Sequence, residues 1–143
     1  MRRMFQAVSG VVLGLTLTTA TTLVRAEQAQ DVAVIDKSMK VIGPAYGATR
    51  KSLGTAVMAD AKTNAEIVSK AFADTEAFFK SHGKADGVEW SQSAKKAADA
   101  IAKAATPEAA KESATELGKL CTACHAKYRE PAADGTYKYK AGS

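Results

Sequence analysis

The sequence predicts an all-α protein, built as an antiparallel bundle of four helices. Alanine is abundant, runs of β-branched residues are few, and apolar residues recur at intervals of three and four, which is the spacing of one helix face. This spacing occurs in four segments that are joined by short connections. Four amphipathic helices of this kind can bury their apolar faces together only as a bundle, and an antiparallel up-and-down order is the simplest layout.

The start of the chain has the three-part pattern of an export signal. Two arginines follow the initial methionine, residues 8–17 form a short apolar core, and small residues precede a cleavage site that we place after Ala26. Threonines interrupt the apolar segment, which falls short of the roughly 20 residues that a membrane span needs. We therefore expect a cleaved signal peptide, residues 1–26, followed by a single domain, residues 27–143, with no stable membrane span.

The charge of the mature chain gives no support to nucleic-acid binding. The whole chain has 20 basic and 15 acidic residues, and Arg2, Arg3 and Arg25 belong to the expected signal peptide, so 17 basic residues face 15 acidic ones and the formal charge is +2. The remaining lysines alternate with acidic residues, and no basic run interleaves with aromatics.

The first two predicted helices are defined by their apolar stripes. The first carries Val32, Ile35, Met39, Ile42, Tyr46 and Leu53, and the second carries Ile67, Val68, Ala71, Phe72, Thr75, Phe78 and Phe79. Gly43 and Pro44 lie inside the first, where proline removes a backbone hydrogen bond and predicts a kink. The second is predicted to begin at a cap formed by Thr63 or Asn64 and to end at Gly83.

The last two helices have clearer boundary signals. The third is predicted to begin after Asp86 and Gly87. Thr106 is a typical capping residue with Pro107 at the first helical position, so the fourth helix should begin there and should stop before Pro131.

A short tail, residues 132–143, follows the fourth helix. It contains Tyr137 and Tyr139 among lysines. We interpret it as a terminus that is frayed or packed on the surface, with partner docking as the alternative.

One motif in the fourth helix carries chemistry. Cys121-Thr122-Ala123-Cys124-His125 is the pattern for covalent attachment of a c-type haem. Helical residues three and four apart share a face, so the two thiols could form thioethers to the porphyrin vinyl carbons while the imidazole reaches iron. The chain has only these two cysteines. The motif therefore predicts one covalent haem c, with His125 as an axial ligand.

Two other interpretations of the cysteines are open. A thioredoxin-like redox pair would favour a strand before the motif and a βαβ setting, whereas this motif lies within a helical segment. A zinc site needs four ligands, and after Cys121, Cys124 and His125 only His82 is left as a histidine. His82 lies beside Gly83 in a predicted loop, where a solvated histidine is the simpler interpretation.

The position of the motif, near the end of the last of four helices, resembles the class II cytochromes c, the family of cytochrome c-prime and its low-spin relatives. The resemblance covers residues 27–143 in helix order and is sharpest from Cys121 to Arg129. It implies a left-handed bundle with haem between helices near one end, a bacterial periplasmic location, and often a homodimer. It also implies that Arg129 lies near the haem face or propionates. A cation stabilised by the helix dipole is the alternative for Arg129.

The sixth position of the iron decides which function the sequence predicts. Met39 and Met58 are the methionines that remain after signal removal, and Met39 lies on the apolar stripe of the first helix. Low-spin members of the family resemble this chain in carrying a methionine on that helix, so we expect Met39 to bind iron. Core packing is the alternative.

Two functions follow from these alternatives. Ligation by Met39 predicts a single-electron carrier that serves redox partner proteins. Without it the iron would be five-coordinate, as in cytochrome c-prime, and would bind nitric oxide or carbon monoxide. A haem-free structural bundle leaves the motif unexplained. The sequence has no pairing of nucleophile and base, no acid pair and no phosphate loop, so we do not predict an enzyme.

Overall fold

The computed structural model describes residues 19–140 and, from residue 32 onward, their side chains. Four helices and two short strands follow in order: α1 Thr19–Gly54, α2 Met58–Ser81, α3 Ala85–Lys103, α4 Pro107–Tyr128, β1 Arg129–Pro131 and β2 Tyr137–Tyr139. The mostly helical architecture confirms the all-α prediction. Most of the expected signal peptide, residues 1–26, lies outside the described residues. Across the described part of the chain, none of the helices combines the length and the apolar character that crossing a membrane requires.

The helices pack in chain order, α1 on α2, α2 on α3 and α3 on α4. Many of the buried side chains in these helices are alanines. The larger buried side chains form one core cluster around Ile42, Leu53, Val68, Phe72, Ile101 and Leu117, and a second around Ile35, Phe78, Phe79 and Tyr128. A cavity separates much of α1 from α4, and this cavity contains the candidate site.

Two helices begin earlier than the sequence predicts. Helix α3 starts at Ala85, so Asp86 and Gly87 belong to its first turn, and helix α2 starts at Met58. Thr63 and Asn64 do not cap it, because their side chains donate to the carbonyls of Ala59 and Asp60 inside the helix, at 3.1 and 2.8 Å. The chain turns before Met58 with Ala56 at a φ of 57°, and Val57 precedes the helix without a side-chain capping bond. This turn therefore lacks the residue types by which a helix start is usually recognised.

The buried face of α2 also differs from the predicted stripe at one residue. Ile67 is 40% exposed, whereas Val68 is completely buried. The buried positions Ala61, Ala65, Val68, Phe72, Thr75 and Phe79 follow the spacing of three and four. Ile67 lies beside this face, so its inclusion in the predicted stripe was wrong.

Helix α4 has the boundaries that its sequence predicts. The backbone N–H of Ala109 donates to the Thr106 hydroxyl at 3.3 Å, and Pro107 begins the helix. The helix ends at Tyr128, where Arg129 adopts an extended conformation before Pro131. The cysteine motif, residues 121–125, therefore lies within α4 and close to its C-terminal end.

The tail folds back as a hairpin instead of fraying. Strands β1 and β2 pair antiparallel, with Arg129 opposite Tyr139 and Pro131 opposite Tyr137. The ring of Tyr139 stacks on that of Tyr128, with 5.8 Å between centroids and 9° between planes, and meets Phe78 edge-on. Up to residue 140 the tail is therefore packed on the surface, which is one of its two predicted forms.

Candidate functional site

The candidate site is a cavity of about 1460 Å³ between α1 and α4. Its wall includes all five residues that the sequence predicts for the site: Met39, Cys121, Cys124, His125 and Arg129. Helix α4 contributes the motif, α1 contributes Met39, and the hairpin contributes residues 136–139. The fold thus brings residues from the two ends of the described chain to one space.

Apolar side chains from the core surround the predicted site residues. They include Ile35, Ile42, Phe72, Phe79 and Trp90. The cavity exceeds the about 300–1,000 Å³ of ordinary small-molecule pockets, so it has room for a large ligand. Its lining suits a ligand that is mostly apolar.

The two cysteines are half-buried free thiols on the cavity wall. Burial raises the pKa of Cys121. Burial, followed by the charges of Cys121 and Asp86, raises the pKa of Cys124 to about 12. Both side chains are therefore neutral thiols near pH 7, and the thiolate that a redox pair or a zinc site uses is disfavoured.

His82 lies apart from this wall, so it does not complete a zinc site with the cysteines. It is half-buried rather than solvated, and its Nδ1 lies 2.8 Å from the carbonyl oxygen of Phe78. No group of three or more histidine, cysteine, aspartate or glutamate side chains suited to a metal ion occurs among residues whose placement the structure describes. A haem iron differs from zinc in this respect, because the porphyrin supplies four of its ligands.

His125 is a neutral, half-buried imidazole beside the two thiols. Burial lowers its pKa, and the positive charge of Arg129 lowers it further. A neutral imidazole has a nitrogen lone pair that is free to bind a metal. His125 therefore has the protonation state that an axial iron ligand needs.

Arg129, the first residue of β1, contacts both His125 and Tyr137. Its Nη1 is 3.2 Å from Nδ1 of His125, and its guanidinium carbon is 3.4 Å from the centroid of the Tyr137 ring. Because arginine can only donate, Nδ1 accepts this hydrogen bond. The sequence predicts a role for Arg129 but does not show the contribution of Tyr137.

Met39 and Met58 occupy different surroundings. Met39 lines the cavity on α1 and packs against both core clusters, whereas Met58 packs against the first cluster and lies away from the cavity wall. Ile35 and Ile42 flank Met39 on the same helix face. Of the two methionines, Met39 is therefore the one with a side chain at the candidate site.

Tyr46 and Gly118 are site residues whose importance the sequence does not reveal. The Tyr46 hydroxyl donates to the carbonyl oxygen of Ala114 at 2.7 Å and so joins α1 to α4. A Cβ at Gly118 would lie 2.7 Å from that hydroxyl, so the absence of a side chain makes room for it. Tyr46 is on the predicted apolar stripe, but the pairing depends on α4 lying opposite.

The charged residues on the cavity wall are mostly basic. Asp36 is the acidic residue of the wall, and the basic residues are Lys40, Arg50, Lys111, Lys119, Arg129 and Lys138. This charge suits a ligand with acidic substituents, such as the two propionates of haem. The two thiols, the neutral imidazole, the apolar lining and the basic residues together fit a covalently attached haem.

Comparison of the chain with protein-family models, with curated proteins and with solved structures finds no match. The chemistry and the placement of the cavity residues are therefore the observations from which a function is inferred.

Proposed function

We propose that this protein is an exported c-type cytochrome that carries single electrons with one covalently bound haem c. The proposal rests on Cys121, Cys124 and His125, which share one face of α4 and line a large apolar cavity together. Met39 lies on the α1 side of the same cavity. No catalytic reaction is part of the proposal.

Each of these residues has a distinct task in the proposed cytochrome. Cys121 and Cys124 hold the cofactor through thioether bonds, and His125 donates an imidazole nitrogen to its iron. Met39 supplies the sixth ligand. When bound, the haem would supply a reversible one-electron couple, and the apolar wall of the cavity would surround part of it. If His125 and Met39 both bound the iron, no open position would remain on it for a substrate.

The proposal includes an antiparallel order of the helices. Ser69 of α2 donates to Asp99 of α3, and Gln92 of α3 donates to Glu76 of α2 at 2.8 Å. The later residue of α2 thus pairs with the earlier residue of α3, which supports opposite directions for this pair. We propose the same up-and-down order for the whole bundle.

The cellular setting is proposed on the sequence pattern. Cleavage after Ala26 would release residues 27–143 into a bacterial periplasm. There the protein would exchange electrons with redox partner proteins, alone or as a homodimer. N-terminal sequencing of the coloured protein tests the first of these points, because Glu27 should be its first residue.

One observation favours a second candidate function. Met39 packs against both core clusters, which is also the behaviour of a methionine that only fills space. In that case the iron has five ligands and an open position with apolar surroundings. The protein would then bind nitric oxide or carbon monoxide, like cytochrome c-prime.

Covalent attachment is the decisive test of the haem proposal. Acid-acetone extraction should leave the colour with the polypeptide, because thioethers survive denaturation. Replacing Cys121 and Cys124 together with alanine should abolish the coloured protein. His82→Gln is the matched control, since His82 lies away from the cavity, and it should keep its haem. Colour in the solvent, or an unchanged haem content in the double cysteine variant, would contradict the proposal.

A further inference from the structure

The C-terminal hairpin reaches the candidate site through a stacked pair of side chains. Arg129 begins β1, and Tyr137 begins β2, the strand paired with it. The guanidinium carbon of Arg129 lies 3.4 Å from the centroid of the Tyr137 ring. A guanidinium so close to an aromatic face is attracted by the ring's negative surface. Tyr137 therefore holds the cation on the side that faces the cavity.

The core does not account for the position of Tyr137. Its side chain is 56% exposed, so its ring contributes little to the apolar interior. The hairpin that carries it is fixed by other contacts. The amide of Lys140 donates to the carbonyl of Tyr128 at 2.8 Å, and Lys138 pairs with Glu130 at 3.3 Å. Because these contacts fix the hairpin, the exposed Tyr137 ring has a defined position from which it can contact Arg129.

The chemistry of His125 gives this stacking its significance. Arg129 donates to Nδ1, so the neutral ring carries its proton on Nε2. An iron bound at Nε2 requires the other tautomer, with the proton on Nδ1. Arg129 then loses its acceptor on His125, because two donors cannot share a hydrogen bond. The Tyr137 ring needs no proton from Arg129 and can keep the guanidinium in place.

We infer that Tyr137 is a positioning residue, which keeps the positive charge of Arg129 beside His125 when the imidazole binds iron. The inference rests on the proposed function. A positive charge near the haem favours the ferrous state, which has one positive charge fewer than the ferric state. Through Arg129, Tyr137 therefore raises the reduction potential of the haem.

The contact itself can be measured with labelled arginine. Residues 27–143 contain two arginines, Arg50 and Arg129, so the side-chain N–H spectrum is simple to assign. In the reduced holoprotein, Tyr137→Leu should move the Arg129 signal downfield, because the shielding of the ring is lost, while Tyr137→Phe should leave it in place. Arg50, which lies 5.9 Å from the Tyr46 ring, is the internal control. An Arg129 signal that ignores Tyr137→Leu would overturn the inference.

The effect on the haem is tested by a double-mutant cycle of reduction potentials. Tyr137→Leu and Arg129→Gln should each lower the potential, and the double variant should match Arg129→Gln alone. Tyr137→Phe should restore the native value. In an Arg50→Gln background, as a matched control, the effect of Tyr137→Leu should persist in full.

Two results of this mutant cycle would overturn the inference about Tyr137. Equal effects of Tyr137→Leu with and without Arg129 would show that Tyr137 acts through the fold, and a Tyr137→Phe variant with a lowered potential would exclude the ring as the active part. A protein without covalent haem would refute the proposed function instead. In that case the arginine spectrum of the protein as isolated would still decide whether Tyr137 holds Arg129.

Discussion

Tyr46 and Ala114 join the first and last helices at the edge of the cavity. The Tyr46 hydroxyl donates to the Ala114 carbonyl oxygen at 2.7 Å, across 68 positions of sequence. One turn further along α4, Gly118 leaves room for the same hydroxyl. Because the cavity separates much of α1 from α4, this hydrogen bond holds the two walls of the site at a fixed spacing.

A methyl group at Gly118 should disturb this bond. In an ordinary helix interior, Gly→Ala stabilises by about 0.5–1 kcal/mol, because the unfolded chain loses freedom. Gly47→Ala should show this gain, since nothing lies within 4 Å of its new Cβ. Gly118→Ala places Cβ 2.7 Å from the Tyr46 hydroxyl, so the gain should be cancelled or reversed. Denaturant unfolding of the two variants measures the difference, and an equal gain in both would contradict this account.

Gly87 should tolerate an added side chain far less well than Gly118. A Cβ at Gly87 would lie 2.3 Å from the Phe79 ring, which is fully buried. We expect Gly87→Ala to destabilise the protein by about 1–3 kcal/mol, as overpacking usually does. Adding Phe79→Leu to Gly87→Ala should recover part of that loss, although Phe79→Leu alone is destabilising. Additive effects of the two substitutions would show that the ring is not the cause.

Asp86 should make the stability of the fold depend on pH in the acid range. Hydrogen bonds from Lys127, and then from Tyr128, lower the pKa of Asp86 to about 2. A carboxyl whose pKa is lower in the folded state stabilises that state above its unfolded pKa, which is about 3.9. This contribution is lost as the pH falls from about 4 to about 2.

Variants at two aspartates can isolate this dependence. Asp86→Asn should flatten the loss of stability between about pH 4 and about pH 2, because it removes the titrating group. Asp74→Asn, at an exposed position on α2, is the control and should keep the native slope. The midpoint of urea unfolding across this range is the measurement. The same slope in Asp86→Asn as in the native protein would remove Asp86 as its cause.

Met39 should determine the spin state of the iron. We expect the ferric protein to be low-spin, with the weak red charge-transfer band of a thioether ligand. Met39→Ala should abolish that band and let carbon monoxide bind the ferrous iron. Met58→Ala is the matched control and should keep the native spectrum, because Met58 lies away from the cavity wall. A native protein that is already high-spin would reject Met39 as ligand and favour the gas-binding function.

The sequence predicts those parts of the fold that depend on local chemistry. The spacing of apolar residues is enough to indicate four helices, and Thr106 with Pro107 marks the start of α4 because a cap and a first-turn proline act within a few residues. The start of α2 is missed, because the turn before it uses Ala56 with a positive φ, which local chemistry does not predict. Ile67 is misplaced because the stripe alone does not fix how far a helix is rotated toward its neighbours.

Within the candidate site, the predictable part is again the local part. Cys121, Cys124 and His125 share a face by helical spacing alone. Gly118 acquires its role through Tyr46 in another helix, and Tyr137 acquires its role through Arg129 in the paired strand. The hairpin is held by Tyr139, whose ring contacts those of Tyr128 and Phe78. Tyr128 and Phe78 are far apart from each other along the chain. Such contacts depend on tertiary packing, and a periodic pattern does not contain them.

The place of the cavity, between the first helix and the last, sets the order in which the protein can assemble. Helices α2 and α3 adjoin each other in sequence, so they can pair with little loss of chain entropy. The meeting of α1 with α4 closes the longest loop and also covers Cys121 and Cys124. Attachment chemistry needs both thiols within reach, so in the proposed cytochrome we expect it to precede this closure. The attached ring would then be the surface on which α1 docks last.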